Sequence, residues 1–198
     1  MRLFVAIEVP EAVRLALAEL IAKLTPAAPG ARWVRAENIH VTLKFIGEVP
    51  AAQLEPIRKA LAEVCRGRSE NQAECEPVSM SFKGIGFFPN ERRPRVFWAG
   101  MDATPSLAPL AAAIEESLEP LGIARESRPF SPHLTLARFN EPRPALQLLE
   151  AAAPFHDASF GDATATEFHL FESRLKPGGA QYARVATFLL ASPEGRGS

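Results

Sequence analysis

Hydrophobic and polar positions follow two rhythms along this chain, a period of two in some stretches and of three to four in others. The opening residues, Met1 to Val9, read as a strand. Pro10 and Glu11 suit the first turn of a helix, and Val13, Leu17, Leu20, Ile21 and Leu24 then recur at helical spacing until Pro26, Pro29 and Gly30 end the run. Residues 39–46 alternate as a half-buried strand does and stop at Gly47. Leu54, Ile57, Leu61 and Val64 mark a second helix, and residues 78–88 and 95–101 read as two strands joined by the exposed loop 89–94. The order then repeats. A third helix carries Leu107, Leu110, Ile114, Leu118 and Leu121 and ends at Gly122. A strand over 132–139, a short helix near 145–152 and two strands, roughly 163–172 and 181–191, complete the chain.

Each half therefore reads helix, strand, helix, two strands, with one extra strand in front. This predicts an α+β fold of two pseudo-symmetric lobes, each an antiparallel sheet with its helices packed outside, and a central cleft between the sheets. Residues 1–192 are expected to form one bilobal domain, and the small polar tail 193–198 to be disordered.

Composition narrows the function. The chain has 198 residues, 47% of them hydrophobic and 23% charged, with a net charge of −1. That is ordinary globular make-up, without the basic excess of a protein that coats long nucleic acid. A nucleic-acid substrate would be held locally, at an end or by one nucleotide. No apolar run is long enough to span a bilayer, and the short, soon acidic N-terminus does not read as a signal peptide. These features predict a cytoplasmic protein, a monomer, with no membrane partner. Cys65 and Cys75 are ten residues apart, without a Cys-x-x-Cys pair, and are read as two thiols in a reducing compartment.

One motif carries chemistry. His-x-Thr-Leu occurs twice, at His40-Val41-Thr42-Leu43 and His133-Leu134-Thr135-Leu136. In a strand, His40 and Thr42 share one face while Val41, Leu43 and Phe45 take the other. The same parity pairs His133 with Thr135. Two facing lobes would then gather two imidazoles and two hydroxyls around one cleft. Imidazole titrates near neutrality, so one ring can take a proton and the other give one. The threonine hydroxyls can donate to non-bridging phosphate oxygens. No His-Glu-x-x-His motif or carboxylate cluster suggests a metal, so neither a metal nor a cofactor is expected.

Three further residues are candidates for substrate or phosphate contact. Lys44 has the parity of Thr42. Arg138 has the wrong parity and could reach the cleft only through a bulge or from the end of its strand. Phe130 could stack a base, whereas the parity of Phe45 assigns it to the core. His156 and His169 read as structural, and Gly84-Ile85-Gly86 as a strand bend rather than a dinucleotide site. Arg92, Arg93 and Arg95 form a small basic loop that suits either a solvated turn or an RNA guide.

At these residues the sequence resembles the two-histidine (2H) phosphoesterase superfamily, and within it the bacterial and archaeal RNA 2′,3′-cyclic phosphodiesterases, also called 2′-5′ RNA ligases. The likeness extends from Arg2-Leu3-Phe4-Val5-Ala6-Ile7 and Trp33-Val34, through the first motif to Gly47, to Gly86-Phe87-Phe88-Pro89, Arg95-Val96-Phe97-Trp98 and Phe130 to Arg138. It implies hydrolysis of a terminal RNA 2′,3′-cyclic phosphate to a 2′-phosphomonoester, reversible 2′-5′ joining of RNA ends, and an RNA 3′ end or small cyclic nucleotide in the cleft. It also implies that His40 is the proton donor, that His133 is the acceptor, and that Thr42 and Thr135 hold the phosphate. Two other functions suit the same fold: a module that binds nucleotide or RNA without turnover, and an exonuclease that trims RNA 3′ ends.

Overall fold

The computed structural model describes residues 1–65, 76–141, 145–177 and 179–190. Its nine strands are β1 (Arg2–Glu8), β2 (Arg32–Trp33), β3 (His40–Glu48), β4 (Val78–Phe88), β5 (Val96–Ala103), β6 (Leu134–Arg138), β7 (Ser159–Ala165), β8 (Glu167–Lys176) and β9 (Gly179–Leu189). Four helices join them: α1 (Glu11–Leu24), α2 (Leu54–Glu63), α3 (Leu107–Leu118) and α4 (Leu146–Ala152). The tail 193–198 and Cys75 lie outside the described residues.

Two antiparallel sheets form the expected α+β, two-lobed architecture. The first has the order β3-β1-β8-β9, the second β2-β6-β5-β4-β7. Apart from the short β2, both run outward from a histidine-bearing strand. The lobes are not consecutive halves of the chain, however. The N-terminal strands β1 and β3 are completed by C-terminal β8 and β9, while β4 and β5 join β6 and β7. The helices exchange too: α3 and α2 lie against the first sheet, and α1 lies against β7 and α4. The expected strand over 163–172 is in fact the end of β7 and the start of β8, because the chain crosses from one sheet to the other at Thr166, whose carbonyl accepts from Leu190 N–H at 2.8 Å.

The core forms between sheets and helices. Val5, Ile7, Val41 and Leu43 of the first sheet and Phe82, Phe97, Leu134 and Leu136 of the second are buried together with Leu17, Ile57, Leu61 and Ile114. Burial of each such side chain contributes about 1.5–3 kcal/mol, so the inward faces are strongly specified. Helix α3 closes through Gly122, whose φ of +79° is the left-handed conformation expected of a helix-ending glycine. Cys65, just after α2, is disulfide-bonded, so the expected free thiol is not present there.

Strand alternation breaks just after the motif threonine in each histidine-bearing strand, and β3 shifts register a second time at Ile46. In β3, Lys44 pairs with Val5 and Thr42 with Ala6, leaving Leu43 as an extra residue. In β6, Ala137 pairs with Phe97 and Thr135 with Trp98, leaving Leu136 extra. A bulge of this kind reverses the facing of the side chains that directly follow it. Leu43 and Lys44 are therefore both buried, as are Leu136 and Ala137, while Phe45 and Arg138 are exposed.

Candidate active site

The outward faces of the two sheets carry the motif residues. His40 and Thr42 lie on β3, which meets β6 where the sheets approach. His133 immediately precedes β6, and Thr135 lies within it. Thr42 sits opposite Ala6, whose methyl leaves room over the sheet, and Thr135 sits opposite Trp98.

The two imidazoles are held in the same way. His40 Nδ1 is 2.7 Å from the Asn38 carbonyl oxygen, and His133 Nδ1 is 2.8 Å from that of Ser131. In both cases the partner lies two residues upstream. A carbonyl only accepts, so each Nδ1 carries the proton and donates it. Each Nε2 is left to accept a proton, or to give one when the ring is charged. Aromatic side chains fix the ring planes. The Phe4 centroid is 4.8 Å from that of His40, and Tyr182 meets His40 edge-on at 5.4 Å. Phe88 meets His133 edge-on at 5.0 Å. Asn38 is itself anchored through Nδ2, which donates to the Ala180 carbonyl at 2.8 Å.

Burial pushes the His40 pKa down to about 4, with the Arg138 cation adding to the depression and the Asn38 hydrogen bond opposing it. His133 is lowered for the same reasons, burial first, with Ser131 opposing and Arg138 adding. Burial raises the Tyr182 pKa, while the charges of Arg138 and Arg2 pull it back. The charge of Arg138 is thus felt by groups of both sheets.

The structure separates the remaining sequence candidates. Arg138 comes to the outward face of its sheet because the β6 bulge supplies the change of parity it needed. Lys44 does not. The β3 bulge turns it to the core side, where Nζ donates to Glu115 Oε2 at 2.5 Å and to the Ala124 carbonyl at 2.6 Å. Its charge is spent on α3 and the segment after it. The expected parity of Phe45 is reversed by the same bulge: it is 59% exposed and shares the face of Phe4, with centroids 6.3 Å apart. Phe130 is exposed in the segment before β6 but is not among the residues lining the cavity beside His133. His169 is buried on β8 with Nδ1 3.1 Å from Thr187 Oγ1, and His156 is exposed and paired with Asp157 at 3.2 Å. Phe4, Phe88, Trp98 and Tyr182 surround the site without having been singled out as site residues. Phe4, Phe88 and Trp98 carry a sequence signal, because each stands in a stretch that resembles the 2H phosphoesterases. Tyr182 has none beyond being the chain's one tyrosine. Among the described residues no three His, Cys, Asp or Glu side chains converge as a metal site requires, and no helix is long and apolar enough to cross a membrane.

Two imidazoles, two threonines and one guanidinium across a cleft can bind a phosphodiester anion and move protons on either side of its phosphorus. Comparison with known proteins points the same way. A family model described as "LigT like Phosphoesterase" matches residues 7–98 and 101–182, one motif falling in each segment. The chain is 34% identical to an RNA 2′,3′-cyclic phosphodiesterase of Archaeoglobus fulgidus, over 95% of this chain and 99% of that protein. It is 37% identical to one from Thermus thermophilus, over 99% and 93%. In structure it resembles E. coli LigT complexed with 3′-AMP, with a TM-score of 0.72 at 26% identity, covering 96% of this chain and 97% of that one. Crystal structures of the same E. coli protein with NADP+ and with ATP are also similar.

Proposed function

The chain belongs to the LigT-like phosphoesterase family, and from that premise we propose that it hydrolyses a terminal RNA 2′,3′-cyclic phosphate to a 2′-phosphomonoester by acid–base catalysis between His40 and His133. The observation that carries this reading is the matched setting of the two imidazoles, each with Nδ1 committed to a carbonyl two residues upstream and Nε2 available for proton transfer.

In this mechanism the phosphate sits between the histidines, with its non-bridging oxygens on the Thr42 and Thr135 hydroxyls and on Arg138. His133 Nε2 takes a proton from water as the water oxygen attacks phosphorus. The bond from phosphorus to O3′ breaks, and His40 Nε2 gives O3′ its proton. The assignment of donor and acceptor follows the family. Burial and Arg138 keep both rings neutral near pH 7 before substrate arrives, which readies His133 as a base. The bound phosphodiester anion then offsets the Arg138 charge and favours the protonated form of His40. Phe45, exposed on the His40 side, offers a face on which the 3′-terminal base stacks. The rest of the reading is a monomeric cytoplasmic enzyme acting on an RNA 3′ end and capable of the reverse, 2′-5′ joining reaction, with no metal required.

The test is a short RNA ending in a 2′,3′-cyclic phosphate, incubated with the protein in EDTA, with the products separated. A 2′-phosphate product at an undiminished rate is expected. A 3′-phosphate product, or activity abolished by the chelator, would refute the mechanism.

A further inference from the structure

A cavity of about 530 Å³ opens beside His133. Its lining includes Lys83, Phe88, Trp98, Gly100, Asp102 and His133. It exists because β4 bulges between Phe82 and Ile85, opposite a stretch of β5 stripped of bulk. Gly100 must be glycine there, since a Cβ would lie 2.6 Å from the Lys83 carbonyl oxygen. Gly86 must be glycine as well, since a Cβ would run into the Trp98 ring. The indole therefore lies against bare backbone, next to Phe88 with centroids 5.1 Å apart. Its Nε1 is buried without a hydrogen-bond partner. Trp98, Gly100 and Asp102 are alternate residues of one strand and share a face, so about 13 Å of floor separates the aromatic end from the carboxylate. Lys83 comes in from β4. Both Lys83 and Asp102 are exposed, and among the described residues neither takes part in an ion pair.

Water alone needs none of this. We propose that the cavity is a subsite for a nucleoside bearing a 5′-hydroxyl, with a preference for guanine, so that an RNA 5′ end takes the place of water at His133. The inference rests on the reading of His133 as the group facing the attacking oxygen. The base stacks against the Trp98–Phe88 wall. A single carboxylate at Asp102 accepts from guanine N1–H and N2–H together, while the Lys83 ammonium donates to O6. Uracil, cytosine and adenine each turn at least one acceptor toward the carboxylate. Asp102 and Asp157 outnumber Lys83 around the cavity, so a 5′-hydroxyl is admitted in preference to a 5′-phosphate. In the joining direction the 5′ oxygen attacks the cyclic phosphorus and passes its proton to His133. The bond to O3′ breaks, O3′ takes the His40 proton, and a 2′-5′ diester remains.

By microscopic reversibility the leaving nucleoside of a 2′-5′ dinucleotide occupies the same subsite. The test therefore compares kcat/KM for cleavage of A(2′-5′)G, A(2′-5′)A, A(2′-5′)C and A(2′-5′)U, alongside hydrolysis of adenosine 2′,3′-cyclic phosphate. The guanosine dinucleotide is expected to lead by about tenfold, the discrimination typical of one bidentate base contact. That lead should vanish in Asp102→Asn, which keeps the side chain's shape at an exposed position, and shrink in Lys83→Met. Four equal rates, a guanine preference that survives Asp102→Asn, or no dinucleotide cleavage while the cyclic phosphate is hydrolysed would each overturn the subsite alone. Failure on the cyclic phosphate as well would overturn the proposed activity beneath it.

Discussion

Two histidines with depressed pKa values set the pH behaviour of the site. A buried imidazole is penalised in its charged form, and Arg138 adds to that penalty at both rings. The profile of kcat/KM reports the free enzyme's acid and base. It should therefore be a bell with its maximum between about 4, where His40 titrates, and the ordinary histidine value of 6.5. The sign follows from the direction of the shifts. Both rings lose their protons at lower pH than ordinary histidines, so activity falls as pH rises through neutrality. Arg138→Ala removes a repelling cation, so both imidazole pKa values should rise in an NMR titration, and the profile should move to higher pH. A maximum above pH 7 in the unaltered protein, or imidazole shifts indifferent to Arg138, would contradict this electrostatic account.

At the scale of the strand, the two bulges decide which residues serve the cleft and which serve the core. The histidines and threonines were legible in the sequence because they precede the bulge in each strand, where period-two parity still holds. Lys44, Phe45 and Arg138 lie beyond it, and strict alternation assigns all three to the wrong face. The extra residues Leu43 and Leu136 are ordinary apolar side chains, and nothing local marks them as unpaired. Only the register against β1 and β5 does. The consequence separates two neighbouring positions. Lys44 and Glu115 form a buried pair, with side chains 3% and 17% exposed, and removing one partner strands the other's charge. Lys44→Met should cost about 3–5 kcal/mol in denaturant unfolding and leave the KM for cyclic-phosphate RNA as it was. Phe45→Ala should do the reverse, raising KM by about tenfold, as the loss of one base stack implies, with little change in stability. The opposite assignment of effects would show that β3 keeps strict alternation.

At the scale of the whole molecule, the halves of the chain are interleaved. The 93-residue offset between His40 and His133 made the duplication visible in the sequence. It could not show that each sheet draws strands from both halves, because a repeat fixes similarity and not partnership. Interleaving has a physical consequence. A fragment ending at residue 103 holds β1 without β8, α1 without β7 and α4, and β5 without β6. It should show no cooperative unfolding transition, whereas the full chain should unfold in one transition by circular dichroism and tryptophan fluorescence alike. A fragment that folds cooperatively would mean that the lobes are separable. The same interleaving brings the two histidine-bearing strands together, and it makes the cleft a property of the complete chain.

The central claim is that two imidazoles divide the proton transfers of one phosphodiester hydrolysis. The most direct measurement is kcat for hydrolysis of a 2′,3′-cyclic-phosphate RNA by His40→Ala and by His133→Ala, each checked for an unaltered unfolding transition. A positioned acid or base typically contributes about 10²–10⁴-fold, so each single variant should lose at least two orders of magnitude, and the double variant little more than the worse of the two. Near-full turnover in either folded single variant, or binding of the RNA without turnover by the unaltered protein, would contradict the account.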